Sequence, residues 1–213
     1  MTNPTQVVPA GSFVQNPFAT RWTRPGACPF LLPAKTSIED LVDQLQQQQG
    51  WGQIVGPHGC GKSTLIESLK PILEVRGEQL ASYCLHQGQR HLPMKWTDCS
   101  LQKATQVIVD GFEQLSKFSR YRLKRYCRKF NKGLLVTTHQ TLGFANLISL
   151  QPDIRTALRI VTYLQRNHVE VIHAEDVHRH YQDHPQNLRE LLFSLYDLFE
   201  QRRLAVGSRA ESA

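Results

Sequence analysis

Long apolar runs, signal-peptide features and paired cysteines are all missing from this sequence. No apolar stretch reaches the roughly 18 residues that a transmembrane helix needs. The N-terminus lacks the charged start and apolar centre of a secretory leader. The cysteines are scattered and form no Cys-x-x-Cys pair, which argues against a secreted disulfide framework and against a structural zinc site. We therefore expect a soluble cytoplasmic protein with no transmembrane segment and with reduced thiols.

Acidic residues are absent from one long stretch of the chain. Residues 117 to 132 read KFSRYRLKRYCRKFNK and hold eight lysines and arginines, whereas the formal net charge of the whole chain is +7. The aromatic residues Tyr121, Tyr126 and Phe130 lie between these cations. Such a segment can bind nucleic acid, an acidic lipid surface or an acidic protein, or it can be a solvated helix face. The sequence leaves these readings open.

A glycine-rich segment is the most informative feature that is present. It matches the phosphate-binding P-loop pattern G-x-x-x-x-G-K-[ST], and a threonine follows it. In such a loop the backbone N–H groups surround the phosphates, the lysine binds the β- and γ-phosphates, and the hydroxyl binds Mg²⁺. The candidate binding residues are Gly56, Pro57, His58, Gly59, Cys60, Gly61, Lys62, Ser63 and Thr64.

The segments around this loop have the pattern that the motif requires. Residues 51 to 55 are apolar and favour a buried strand. A helical pattern begins at about Lys62, and Pro71 marks its expected end. A P-loop placed between a strand and a helix predicts a site for ATP and Mg²⁺.

Two further predicted strands end in polar residues. Asp110 ends the strand over 105 to 110, and we interpret it as the Walker B carboxylate that holds Mg²⁺ together with Ser63. Thr137, Thr138 and His139 end the strand over 133 to 139, where they either contact the γ-phosphate or the attacking water, or form a capping cluster. Glu113 either orients the water or stabilises the N-terminus of a helix that we expect over 112 to 130.

The alternation of strands and helices predicts an α/β fold. We expect a three-layer P-loop NTPase fold with a parallel sheet and a small C-terminal helical lid. The predicted parts are an extended N-terminal arm (1–35), the NTPase core (36–150), the lid (151–204) and a flexible tail (205–213). In the lid, residues 169 to 172 form either a short strand or a turn.

The last predicted lid helix, from about residue 186 to 203, carries one further candidate. Arg189 either pairs with the phosphates when the lid closes or lies on a solvated face with a local ion pair.

The segments GPHGCGKST, QVIVDGFEQL and GLLVTTH together resemble a group of P-loop ATPases whose sheet has an extra strand between the P-loop strand and the Walker B strand. AAA+ proteins and the signal-transduction ATPases are the most similar members. The segments HAEDV and HPQNLREL resemble a small AAA+ lid. The resemblance implies that Arg189 is the sensor 2 arginine, and that the arm at Asn16, Pro17 and Phe18 lies near adenine.

The leading hypothesis is therefore a Mg²⁺-dependent ATPase or molecular switch that passes a conformational change to a protein partner. Lys62, Glu113, Thr138, His139 and Arg189 are the candidates for acting on the phosphates or on water. Two alternatives remain open, which are a P-loop small-molecule kinase and a nucleic-acid-binding module regulated by nucleotide.

Overall fold

Five parallel strands form the central sheet of the molecule. The computed structural model describes residues 15–32, 36–93 and 96–210, with side chains described up to residue 204. The strands are β1 (Trp51–Val55), β2 (Leu80–Cys84), β3 (Gln106–Asp110), β4 (Gly133–Thr138) and β5 (Asn146–Ser149). Their order across the sheet is β2-β3-β4-β1-β5. The strand β4 thus lies between the strand before the P-loop and the strand that ends in Asp110.

Helices cover both faces of this sheet because each buries an apolar stripe against it. On one face lie α2 (Ile38–Gln47) and α3 (Lys62–Val75), whose leucines pack against Ile54 and Ile108. On the other face lie α4 (Cys99–Lys103) and α5 (Lys117–Lys129), which pack against Val107 and Val109. The α/β three-layer fold that the sequence predicted is confirmed.

Three helices follow the sheet and share a core of their own. They are α6 (Ile154–Gln165), α7 (Ala174–Asp183) and α8 (Leu188–Ala210), and they surround Val161, Val177 and Leu195. Phe18, which precedes the short helix α1 (Thr20–Thr23), is buried in this core against Phe199, with ring centroids 6.2 Å apart. The arm is therefore anchored to the three helices of the predicted lid at Phe18, whereas residues 1–14 and 33–35 of the predicted arm lie outside the described residues.

The predicted helix over 112 to 130 is wrong at its N-terminal end. Residues Phe112–Gln114 form a single 3-10 turn, and α5 begins only at Lys117. Two local causes separate them. Gly111 has a φ of 81°, which suits glycine, and the Ser116 hydroxyl caps α5 by accepting from the backbone N–H of Ser119.

The predicted end of the P-loop helix at Pro71 is also wrong. Helix α3 continues through this proline to Val75. Its buried leucines lie on both sides of the proline, at Leu69 and Leu73. Packing of this face against the sheet offsets the cost of about 3 kcal/mol that an internal proline imposes on a helix.

Residues 169 to 172 form an irregular connection between α6 and α7, so the turn is correct and the strand is not. The short elements α1, α4 and β5 were not predicted. Within the described ranges, no helix is both long enough and apolar enough to cross a membrane.

Candidate nucleotide-binding site

A cleft of about 1550 Å³ lies at the carboxyl ends of the strands. The P-loop forms its floor, Asp110, Glu113 and His139 lie at one side, and segments of the arm and the lid complete its wall. Open parallel sheets bind ligands at this edge. The fold therefore brings most of the candidate residues into one cavity.

The P-loop is shaped by glycines with left-handed backbone conformations. Gly59 has a φ of 69° and Gly61 a φ of 98°, a region that a side chain rarely permits. Gly61 is also the residue that precedes the first turn of α3. The loop therefore leads directly into a helix N-terminus, whose partial positive charge favours an anion.

The backbone of the P-loop holds the Lys62 side chain inside the loop. The ammonium group donates to the carbonyl oxygens of Gly56 and Pro57, each at 2.8 Å. Burial lowers the pKa of the Lys62 side chain. Burial also raises the pKa of the neighbouring Cys60 thiol, which favours a neutral thiol over a reactive thiolate.

Ser63 and Asp110 come together at the start of α3 and the end of β3. The Ser63 hydroxyl donates to Asp110 Oδ2 at 2.5 Å. Thr137 donates through its hydroxyl to Asp110 Oδ1 and accepts from the backbone N–H of Gly111 at 2.8 Å. The carboxylate is thus fixed on both oxygens, and a hydroxyl and a carboxylate are ligands that suit Mg²⁺.

Glu113 and His139 form a pair across the same side of the cleft. Glu113 Oε1 lies 2.8 Å from His139 Nε2. Glu113 Oε2 is buried and has no hydrogen-bond partner among the described residues. On its other edge, His139 Nδ1 lies 3.1 Å from the carbonyl oxygen of Gly56 and 3.5 Å from Lys62 Nζ.

The P-loop histidine extends this cluster. The ring of His58 lies against that of His139, with centroids 3.7 Å apart. Burial and then the charges of His139 and Lys62 lower the pKa of His58. The His58 ring therefore lies beside the Glu113–His139 pair at the P-loop.

Thr138 does not reach the cleft. Its side chain is completely buried on the opposite side of β4, and its hydroxyl has no hydrogen-bond partner in the described chain. Thr137 and His139 line the cavity instead, because alternate residues of a strand point to the same face. The contact with phosphate or water that was expected of Thr138 is therefore available to Thr137.

Comparisons with known proteins agree with this architecture. No family model and no curated protein sequence matches the chain. Among solved structures, AMPPCP-bound DnaA from Aquifex aeolicus has a TM-score of 0.55 and 13% identity, covering 86% of this chain and 68% of that one. The S. cerevisiae Hsp104–ADP complex has a TM-score of 0.56 and 13% identity, covering 94% of this chain and 35% of that one.

A third structure, described as a DNA replication initiation factor, has a TM-score of 0.57 and 12% identity, with coverage of 86% and 70%. The neighbours DnaA and Hsp104 are AAA+ ATPases. The chain has an AAA+-like P-loop NTPase fold. The resemblance drawn from the sequence motifs is thus confirmed at the level of the fold.

In this AAA+-like fold, the start of the last lid helix touches the P-loop. A methyl group added to Gly59 would clash with Asn187 Oδ1 and would lie 3.2 Å from the Cβ of Arg189. Arg189 lines the cleft, and among the described residues its side chain makes no ion pair. The local ion pair is therefore not formed among these residues, whereas Arg189 is exposed, so the solvated helix face stays open beside pairing with phosphates.

The arm reaches the AAA+-like cleft with a different segment from the one expected. Asn16 and Phe18 pack into the lid, where the Asn16 amide donates to the carbonyl oxygen of Tyr196 at 3.1 Å. These residues do not line the cavity, because Phe18 is buried in the core of the lid helices, and a position of this segment near adenine stays a prediction. Later arm residues line the cleft, and among them Phe30 lies against Gly61 of the P-loop.

Two contributions were not found from the sequence. Thr137 orients Asp110, and Asn187 lies against Gly59. The contact between Thr137 and Asp110 could have been inferred from the alignment of the strands. Val109 of β3 pairs with Val136 of the parallel strand β4, so the residues that follow them are neighbours. The contact of Asn187 depends on how the lid docks, which no local pattern reports.

Proposed function

We propose that this chain binds ATP with Mg²⁺ in the cleft and hydrolyses it. We further propose that binding and hydrolysis change the position of the lid, and that this conformational change is passed to a protein partner. The observation that carries the proposal is the convergence of Lys62, the Ser63–Asp110 pair and the Glu113–His139 pair on one edge of the sheet. Location in the cytoplasm and the identity of the partner stay predictions.

The phosphates would be bound by the P-loop. Its backbone N–H groups and the N-terminus of α3 supply fixed partial positive charge, and Lys62 supplies a full one. The ammonium of Lys62 would exchange its two carbonyl partners for phosphate oxygens, which are stronger acceptors because they are charged.

The metal site fits the residues present. Ser63 and Asp110 would hold Mg²⁺, with the remaining ligands supplied by phosphate and water. When bound, the ion would neutralise charge on the phosphates. Among the described residues, no group of three or more His, Cys, Asp and Glu could hold a metal ion by itself.

Glu113 is the residue best placed to activate water. Its position four residues before α5 and its bond to His139 argue against the alternative role at a helix N-terminus. A buried carboxylate oxygen without a partner is costly, and a water molecule bound at Glu113 Oε2 would satisfy it. His139 then fixes the orientation of the carboxylate, and Glu113 takes the proton as water attacks.

The wall of the cleft opposite the strands suits a base. It combines Phe30 from the arm with apolar residues of the lid, among them Ile160, Tyr163 and Leu192. Binding sites for flat ligands are commonly lined in this way. A nucleotide bound here would contact the core through its phosphates and the lid through its base, and so its binding would be coupled to the position of the lid.

The test is nucleotide binding and phosphate release by the purified chain. We expect Lys62→Ala to weaken binding of Mg²⁺-ATP by at least about tenfold, since a charge-assisted contact is lost. Lys103→Ala is the matched control, because Lys103 is exposed on α4 and lies outside the cleft. Release of phosphate without an added acceptor supports an ATPase over a kinase. Failure to bind Mg²⁺-ATP at millimolar concentration, or unchanged binding by Lys62→Ala, would overturn the proposal.

A further inference from the structure

The outer face of α5 carries five cations whose side chains make no hydrogen bond or ion pair with the described residues. They are Lys117, Arg122, Arg125, Arg128 and Lys129, and all are exposed. The other three cations of the segment are satisfied by the fold, because Arg120, Lys124 and Lys132 donate to backbone carbonyls. The fold therefore assigns only part of this charge a structural role.

These five cations share the exposed face with two aromatic rings. At about 100° per residue, the exposed positions of α5 fall within an arc of roughly 140°. Phe118 and Tyr121 lie inside this arc and are 66% and 60% exposed. The opposite side of the helix holds Leu123 and Cys127, which are buried against the sheet. The exposed face therefore contains only cations and aromatic residues.

We propose that this face, defined as Lys117, Phe118, Tyr121, Arg122, Arg125, Arg128 and Lys129, binds single-stranded nucleic acid. Five cations along a helix of about 20 Å match the spacing of a phosphate backbone. The two exposed rings provide stacking surfaces for unpaired bases, which is the combination that single-strand binding requires. A duplex hides the faces of its bases and would use only the cations.

Contacts of two arginines with aromatic rings also favour binding of a phosphate backbone at this face. Arg122 lies over the rings of Trp96 and Phe118, at 5.1 and 5.6 Å from their centroids, and Arg128 lies over Trp51 at 5.2 Å. Planar guanidinium groups that stack on rings are held in place while their N–H groups stay free for phosphate. An anionic membrane fits less well, since the apolar side of α5 is already buried against the sheet and leaves two rings for insertion.

The first experiment is fluorescence anisotropy with a labelled thymidine oligonucleotide of 20 residues. It is measured from 50 to 300 mM salt in the absence of ATP and ADP. We expect binding whose affinity falls with salt. Arg125→Gln/Lys129→Gln should weaken it and lower the slope of log Kd against log salt by about 1.4, since each phosphate contact contributes about 0.7 for single strands. Arg155→Gln/Arg179→Gln is the control, because it removes the same charge from exposed lid positions and should leave the slope unchanged.

The second experiment tests stacking separately from charge. Phe118→Ala/Tyr121→Ala should weaken binding by roughly tenfold or more with the salt slope unchanged, and Phe118→Trp should retain affinity. Val75→Ala removes an exposed apolar side chain elsewhere, on α3, and should have no effect. A uridine oligonucleotide of the same length shows whether RNA is preferred to DNA.

Three results would overturn the proposal. They are equal loss of binding in the lid control, equal affinity for the annealed duplex, and capture of an acidic polypeptide in place of the oligonucleotide. None of these measurements uses ATP, so the outcome is independent of the function proposed for the cleft.

Discussion

The two carboxylate oxygens of Glu113 lie in different surroundings. One is bonded to His139, and the other is buried with no partner in the described chain. We predict that Glu113→Gln retains ATP binding and lowers kcat by roughly 100-fold or more, because an amide cannot take a proton from water. The measurement is steady-state phosphate release beside equilibrium binding of a fluorescent ATP analogue.

Glu74→Gln is the control for this substitution, since Glu74 is an exposed carboxylate on α3 outside the cleft. It should leave both quantities unchanged. A kcat that survives Glu113→Gln would show that another group activates the water, and the bond between Glu113 and His139 would then serve the structure alone.

The residues of the site differ in how far the sequence could reveal them. Lys62, Ser63 and Asp110 stand at fixed positions in motifs, because the chemistry of phosphate and Mg²⁺ demands those side chains at those spacings. Thr137 and Thr138 are adjacent residues of the same type. Their roles differ only because their side chains point to opposite faces of β4. That direction depends on the packing of the strand between β1 and β3, which is a property of the whole sheet.

At the scale of elements, long apolar patterns were predictable and short interruptions were not. The strands β1, β3 and β4 are buried almost throughout, so their composition reports them directly. The end of α3 depends on tertiary packing that overrides Pro71, and the start of α5 depends on a local turn at Gly111. The edge strand β5 has only four residues and no strong apolar run.

The lid contains an element-scale prediction of its own. Arg202 on α8 makes two hydrogen bonds to Asp176 on α7, at 2.6 and 2.7 Å, and Asp176 is buried. We predict that Arg202→Gln lowers the free energy of unfolding by about 1–3 kcal/mol, because a buried carboxylate loses its partner while the guanidinium was partly exposed. Chemical denaturation followed by circular dichroism measures the change.

The same pair predicts a dependence on pH. The hydrogen bonds from Arg202 hold the pKa of Asp176 below its usual value. The pair therefore stabilises the fold above the unfolded-state pKa of about 3.9, and this contribution is lost as the pH falls through the lower folded-state pKa. Asp176→Asn should remove this part of the acid sensitivity, and Asp183→Asn, which alters another carboxylate of α7, should not. Identical acid denaturation curves for Asp176→Asn and the unaltered chain would contradict this account.

At the scale of the whole molecule, the cleft joins three parts of the chain that are far apart in sequence. The P-loop belongs to the core, Phe30 to the arm, and Leu192 to the lid. The arm is also tied to the lid, since Phe18 is part of the lid core. A ligand that fills the cleft would therefore contact every part at once, and it would stabilise the arrangement more as its concentration rises above its Kd.

Arg189 is the residue through which this arrangement would distinguish ATP from ADP. It lies beside Gly59, in the first turn of α8, and its charge is unpaired among the described residues. A guanidinium that contacts the γ-phosphate contributes to binding of ATP and not of ADP. We predict that Arg189→Ala weakens ATP binding by roughly tenfold to a hundredfold and leaves ADP binding unchanged.

The measurement is the ratio of the Kd values for ADP and ATP, together with hydrogen exchange of the α8 N-terminus in each state. In the unaltered chain, ATP should protect this turn more than ADP does, because ADP lacks the third phosphate that we propose Arg189 contacts. Arg179→Ala is the matched control, since Arg179 is an exposed lid arginine outside the cleft. If Arg189→Ala weakened both nucleotides equally, Arg189 would contribute to general phosphate binding, and the lid would report occupancy of the cleft without reading the γ-phosphate.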